Sequence, residues 1–101
     1  MINTIRKILG LGPKVNIADL IANGATIVDV RTKNEFNTGH VKGSVNIPLD
    51  RLPSELKKLK NKDEVIITCC ASGIRSGAAK NMLRARGYVN VHNGGSWRNL
   101  A

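Results

Sequence analysis

Apolar residues recur in short blocks whose spacing alternates between that of a helix and that of a strand. Ile2, Ile5, Ile8 and Leu9 share one side of a helical projection, and Gly10, Gly12 and Pro13 end the pattern. This predicts a short amphipathic helix over residues 2–9, within an N-terminal extension of residues 1–13. Val15 opens a brief strand. Asn16 is placed to cap a helix that carries Asp19 in its first turn, runs through Ile17, Leu20 and Ile21 and ends at Asn23–Gly24. The β-branched run Thr26–Val30 predicts a strand, residues 33–38 a short helix ended by Gly39, and Val45–Ile47 a second strand closed by Pro48. Over Asp50–Lys60, Leu52, Leu56 and Leu59 form one stripe with Pro53 in the first turn, which predicts a helix. Glu64–Cys69 is nearly continuous in apolar residues, the pattern of a strand buried on both faces. Ser76–Arg86 reads as a helix with Ala78, Ala79, Met82 and Leu83 as its inner stripe and Gly87 as its C-cap. Val89–Val91 is a last strand before Gly94–Gly95 and a tail around Trp97.

Strands alternate with helices, so the fold class is α/β with a largely parallel sheet. Ligands of such sheets bind beyond the carboxyl ends of the strands. Here that rule points to the segment after Thr68. A chain of 101 residues is one domain's worth of sequence. With one residue each of Phe, Trp and Tyr, the core must be aliphatic, and folds that stack several aromatics on nucleic-acid bases are poorly supported. No apolar run approaches the ~20 residues of a membrane span. The 16 basic residues outnumber the 7 acidic ones, giving a formal net charge of +9, a field that attracts anions without choosing among them. The Lys57, Lys58, Lys60 and Lys62 run reads as a solvated face.

Cys69 and Cys70 are adjacent, so they form no ordinary disulfide framework, and with only His40 and His92 to join them they do not suit zinc. A reducing, cytoplasmic setting fits, with no metal or cofactor expected. Cys70–Ala71–Ser72–Gly73–Ile74–Arg75–Ser76 links the buried strand to a helix N-terminus, where unpaired N–H groups and a partial positive charge face a ligand. Gly73 lets the backbone turn inward, and Arg75 adds a planar cation. A cysteine at the base of such a loop has a depressed pKa and is a nucleophile. Cys69, one residue earlier, points the other way into a helix–sheet core.

Four blocks in order carry a family resemblance. They are Asp29–Val30–Arg31, the stretch Glu35–Phe36–Asn37–Thr38–Gly39–His40 continuing through Gly43 to Asn46–Ile47–Pro48, the Cys70–Ser76 loop, and Gly94–Gly95 with Trp97. Over residues 15–98 the chain resembles the single-domain rhodanese family of sulfurtransferases. It departs from the family pattern in Val41 for Ile, in Ser44 for Ala, and in a Trp97 nearer the glycines than usual. The resemblance implies a three-layer domain over residues 14–101, with a mostly parallel central sheet of about five strands and helices on both faces. It implies that Cys70 takes sulfane sulfur from an anionic donor such as thiosulfate, holds it as a persulfide, and passes it to cyanide or a thiol, for example that of a thioredoxin-like protein. Ala71, Ser72, Gly73, Ile74, Arg75 and Ser76 then surround the donor, with Arg75 as anion clamp or loop brace. Asp29, Arg31, Glu35 and His40 support the site from beneath, and Gly95 and Trp97 wall it.

Two other readings compete. Phosphatases and arsenate reductases of the related fold place five residues between cysteine and arginine, whereas four separate Cys70 from Arg75, and the loop supplies no general acid. A non-catalytic regulatory module is the other, although such relatives usually lack the cysteine. No base-reading motif accompanies the basic charge, so nucleic acid is not an expected partner.

Overall fold

The computed structural model describes residues 15–101; the helix expected over 2–9, and with it the extension, lie outside the described residues. Four strands form one wholly parallel sheet in the order β2-β1-β3-β4: β1 Thr26–Asp29, β2 Val45–Asn46, β3 Ile66–Cys70 and β4 Val91–Ser96. The α-helices are α1 (Ile17–Ala22), α2 (Lys33–Thr38) and α3 (Ile74–Ala85). The sheet therefore has four strands among the described residues where about five were expected. Val15 is exposed and joins no strand.

The sheet divides two apolar layers. On one face Val28, Val30, Ile66 and Cys70 pack with Leu52, Leu59 and the α3 residues Ala79 and Leu83. On the other, Ile27, Ile67, Cys69 and Val41 pack with Ile17, Leu20 and Ile21 of α1 and with Trp97 and Leu100. β3 is buried along its whole length, as its nearly continuous apolar run predicts.

Three expected elements differ. Residues 50–60 form no α-helix but two 3₁₀ stretches, Leu49–Ser54 and Leu56–Lys58, broken at Glu55 with φ −118°. Pro53 offers no N–H and disfavours the α conformation at Leu52, and the i, i+3 spacing of Leu56 and Leu59 suits a three-residue period equally well. The inner stripe of α3 is Ser76, Ala79 and Leu83 with Met82 half-buried, while Ala78 is exposed. The last strand begins at Val91 and continues through Gly94–Gly95. Its pairing with β3 advances from Thr68↔Asn93 to Cys70↔Ser96, so β4 carries one extra residue, a bulge. Gly94 is needed there because a Cβ would lie 2.7 Å from the Ile67 side chain and 3.1 Å from the Thr68 carbonyl oxygen.

Candidate active site

β3 delivers Cys70 to the carboxyl edge of the sheet, and the chain returns through three residues, Ala71, Ser72 and Gly73, into α3. Gly73 makes the turn with φ +106°, which a side chain would resist. It is also the N-cap of α3 and brings no capping side chain. The Cys70 sulfur takes that role. Sγ accepts the Gly73 N–H at 3.0 Å and the Ser76 N–H at 3.4 Å, and Ser76 Oγ lies 3.4 Å away. Because the capped group sits at the positive end of a 12-residue helix, negative charge on sulfur is favoured. Burial on its own would push the Cys70 thiol up; the Ser76 hydroxyl and the N–H groups of Ser76, Gly73 and Ser72 outweigh it and hold the thiol below its ordinary value.

The loop is held from below by β4. Asn93 Nδ2 donates to the Gly73 carbonyl at 3.0 Å, while Asn93 Oδ1 accepts from Ser76 Oγ at 2.6 Å and from the Gly95 N–H at 2.9 Å. A Cβ on Gly73 would come within 3.3 Å of Gly95 Cα, so the two backbones touch at that point. Thr68 Oγ1 donates to the Ser76 carbonyl at 2.8 Å. Asn93 and Thr68 were not among the residues singled out in the sequence. The sequence places Gly94–Gly95 after the last strand, whereas β4 runs on through both glycines beneath the loop.

Arg75 points away from the sulfur toward α2. Its Nη1 and Nη2 donate to the two Glu35 carboxylate oxygens at 2.7 and 3.0 Å. Glu35 also closes a capping box with Thr32 at the start of α2. Arg75, then the Thr32 backbone, hold the Glu35 carboxyl well below the usual carboxylate range, at about 2. Of the two roles considered for Arg75, the geometry is that of a brace, since both terminal nitrogens donate to one carboxylate as a bidentate pair. Ala71 and Ser72 are exposed, and Ile74 turns its side chain to solvent with 81% of its surface exposed at the rim of the loop.

The remaining supporting residues gather on the Cys69 side. Arg31 is buried and grips the Asp29 carboxylate through Nε and Nη2, the latter at 2.7 Å, and Nη2 also donates to the Gly39 carbonyl at 2.7 Å. Its guanidinium lies 4.5 Å from the centre of the Trp97 ring, with Arg98 5.0 Å from the same ring. Trp97 thus packs beneath Gly39 and against the Cys69 cluster rather than walling the Cys70 loop, whereas Gly95 does touch the loop. His40 is exposed, stacks on Phe36 with ring centres 3.7 Å apart, and holds the Phe36 carbonyl through Nδ1 at 2.8 Å; no hydrogen bond joins it to the loop. Cys69 is enclosed by apolar side chains, and burial, then the Asp29 carboxylate, push its thiol up to about 12.

Among the described residues no helix is long and apolar enough to cross a membrane. Two curated proteins and one solved structure illustrate what the chain is similar to. It is 40% identical over 72 residues to YqhL of Bacillus subtilis (strain 168), covering 68% of this chain and 54% of that one, so it spans about half of that relative. It is 32% identical over 75 residues to the thiosulfate sulfurtransferase PspE of Escherichia coli (strain K12), covering 73% of this chain and 72% of that protein. The fold superimposes on a rhodanese with anions from E. coli with a TM-score of 0.72 and 30% identity, covering 77% of this chain and 93% of that one. The Rhodanese-like domain family matches residues 15–98, which take in the Asp29–Arg31 brace, the Cys70 loop and the bulged strand beneath it, and the chain belongs to that family.

Proposed function

We propose that the protein is a sulfurtransferase that carries sulfane sulfur on Cys70. The observation that supports this best is the placement of one sulfur as the cap of α3, with N–H donors from Gly73 and Ser76 and the Ser76 hydroxyl around it. The Cys70 thiolate attacks the outer sulfur of thiosulfate; the bond between the two donor sulfurs breaks, and its electron pair leaves on sulfite. Cys70 then holds a persulfide, whose negative outer sulfur is a candidate for the same donors. Cyanide, or the thiolate of an acceptor such as a thioredoxin-like protein, attacks that outer sulfur, and the pair returns to Cys70. No proton has to be moved by an acid–base pair. The chemistry suits a reducing compartment such as the cytoplasm, where acceptor thiols stay reduced.

The loop suits a narrow donor. Cys70 has no exposed surface, so a donor reaches Sγ only as the loop gives way, which favours a small one. Arg75 is turned to Glu35, and four residues separate it from Cys70 where phosphatases of the related fold have five, which disfavours a tetrahedral phosphate. The test is mass spectrometry after incubation with thiosulfate. A gain of one sulfur atom, mapped to the Cys70 peptide and discharged by cyanide, is expected. Absence of that adduct, or faster turnover of p-nitrophenyl phosphate than of thiosulfate, would overturn the reading in favour of a phosphatase or a non-catalytic module.

A further inference from the structure

One hydroxyl proton in the loop has two acceptors. Ser76 Oγ lies 2.6 Å from Asn93 Oδ1 and 3.4 Å from Cys70 Sγ. The Asn93 amide cannot be turned over, because its Nδ2 donates to the Gly73 carbonyl and its Oδ1 accepts the Gly95 N–H. Asn93 Oδ1 therefore has no hydrogen to offer, and its short contact with Ser76 must use the proton of the serine. A hydroxyl has only one. While it points at Asn93, Ser76 can accept from a Cys70 thiol but presents a lone pair to a Cys70 thiolate.

Resting on the reading of Cys70 as the nucleophile, we propose that Asn93 is a positioning residue that competes with the Cys70 thiolate for the Ser76 hydroxyl proton. In the thiol form, Sγ–H donates to Ser76 Oγ, and Oγ–H donates to Asn93. When the thiol gives its proton to solvent, the hydroxyl turns to Sγ, and Asn93 keeps the Gly95 N–H. Once Sγ has bonded to the incoming sulfur it is neutral and a poor acceptor, and the hydroxyl returns to Asn93. Ser76 keeps its proton throughout. The competition limits how far the thiolate is stabilised. That matters because a thiolate's nucleophilicity falls with its basicity, and the best attacking thiol titrates near ambient pH. The fixed N–H donors of Gly73 and Ser76 lower the thiol, the Ser76 hydroxyl adds to them, and Asn93 limits how much it adds.

The test measures how much Ser76→Ala raises the pKa of Cys70, read from thiolate absorbance against pH in a Cys69→Ala background that leaves one thiol. It is run with Asn93, with Asn93→Asp and with Asn93→Ala. The charged and titratable neighbours (Asp29, Arg31, Glu35, Arg75 and His92) are common to every arm. The shift should be smallest with Asn93→Asp, which captures the hydroxyl. It should be larger with Asn93, and largest with Asn93→Ala, where a freed hydroxyl is worth about one pH unit or more. An equal shift in all three, as a scaffold role for Asn93 would give, or the reverse order, as a residue aiming Ser76 at Cys70 would give, overturns the proposal. If Asn93→Ala does not fold, Asn93→Asp, which keeps the acceptor for Gly95, decides the sign against the parent. Failure of the underlying reading shows separately, as a Cys69→Ala protein that acquires no sulfur from thiosulfate. A wrong order in protein that does acquire it overturns the Asn93 competition alone.

Discussion

Cys69 and Cys70 are neighbours in β3 and face opposite layers of the molecule. Cys69 meets Ile27, Val41 and Ile67, with the Asp29 carboxylate as its nearest strong influence, and its thiol is pushed up to about 12. Cys70 meets two backbone N–H groups, a hydroxyl and the start of a helix, and its thiol is pulled down. Both residues are fully buried, so exposure does not separate them. The difference lies in what surrounds each sulfur: an aliphatic wall stabilises only the neutral form, and oriented donors stabilise the charged one. The pleat of a strand is enough to assign the two environments to consecutive residues.

The largest effect should come from exchanging the sulfur proposed as the nucleophile. Cys70→Ser should abolish both the added-sulfur mass and cyanide-dependent turnover, whereas Cys69→Ala should retain both. A persulfide that persists in Cys70→Ser would reverse the roles given to the two faces. On the Cys69 side, Asp29→Ala should lower stability by about 3–5 kcal/mol, because it leaves the buried Arg31 guanidinium uncompensated. Denaturant unfolding would check this, and a loss under about 1 kcal/mol would mean that Arg31 finds other partners.

Titration sharpens the comparison further. Folding raises the Cys69 pKa, so the native state gains stability from it below the ordinary thiol range. That gain is lost as pH rises toward about 12. Folding lowers the Cys70 pKa, so its contribution is present above the ordinary range and is lost as pH falls through the folded value. Alkylation between pH 7 and 8 should therefore label Cys70 first by peptide mapping, with Cys69 labelled only as the protein unfolds. Labelling of Cys69 first would contradict the assignment.

The smallest effect should be at the Arg75–Glu35 brace, a half-exposed pair. Arg75→Ala and Glu35→Gln should lower kcat/KM for thiosulfate by similar amounts, each less than about fivefold. If Arg75→Ala costs ten times more than Glu35→Gln, Arg75 acts on the donor directly. The Glu35 carboxyl is held at about 2, so the contribution of the brace to stability is present above the ordinary carboxylate pKa and is lost as pH falls toward that value.

The chain by itself determined the βα alternation, the parallel sheet, the two-sided burial of β3 and the opposition of Cys69 and Cys70, because each follows from local spacing and the period of a strand. It also marked the Cys70 loop, since a cysteine, a glycine and a helix start within a few residues carry their chemistry locally. Other features depended on residues distant in sequence. Whether Arg75 clamps or braces turned on Glu35, 40 positions away, arriving at the same edge through α2. Trp97 lies on the Cys69 side, where its ring meets the apolar cluster and the buried Arg31 guanidinium, residues far from it in sequence. The 3₁₀ form of residues 49–58 turned on how one proline met a stripe that fits two helix types. Asn93 reached the loop because β4 pairs it beside Thr68 of β3, next to the start of the bulge, and a pairing register is a property of two strands that neither strand's sequence displays alone.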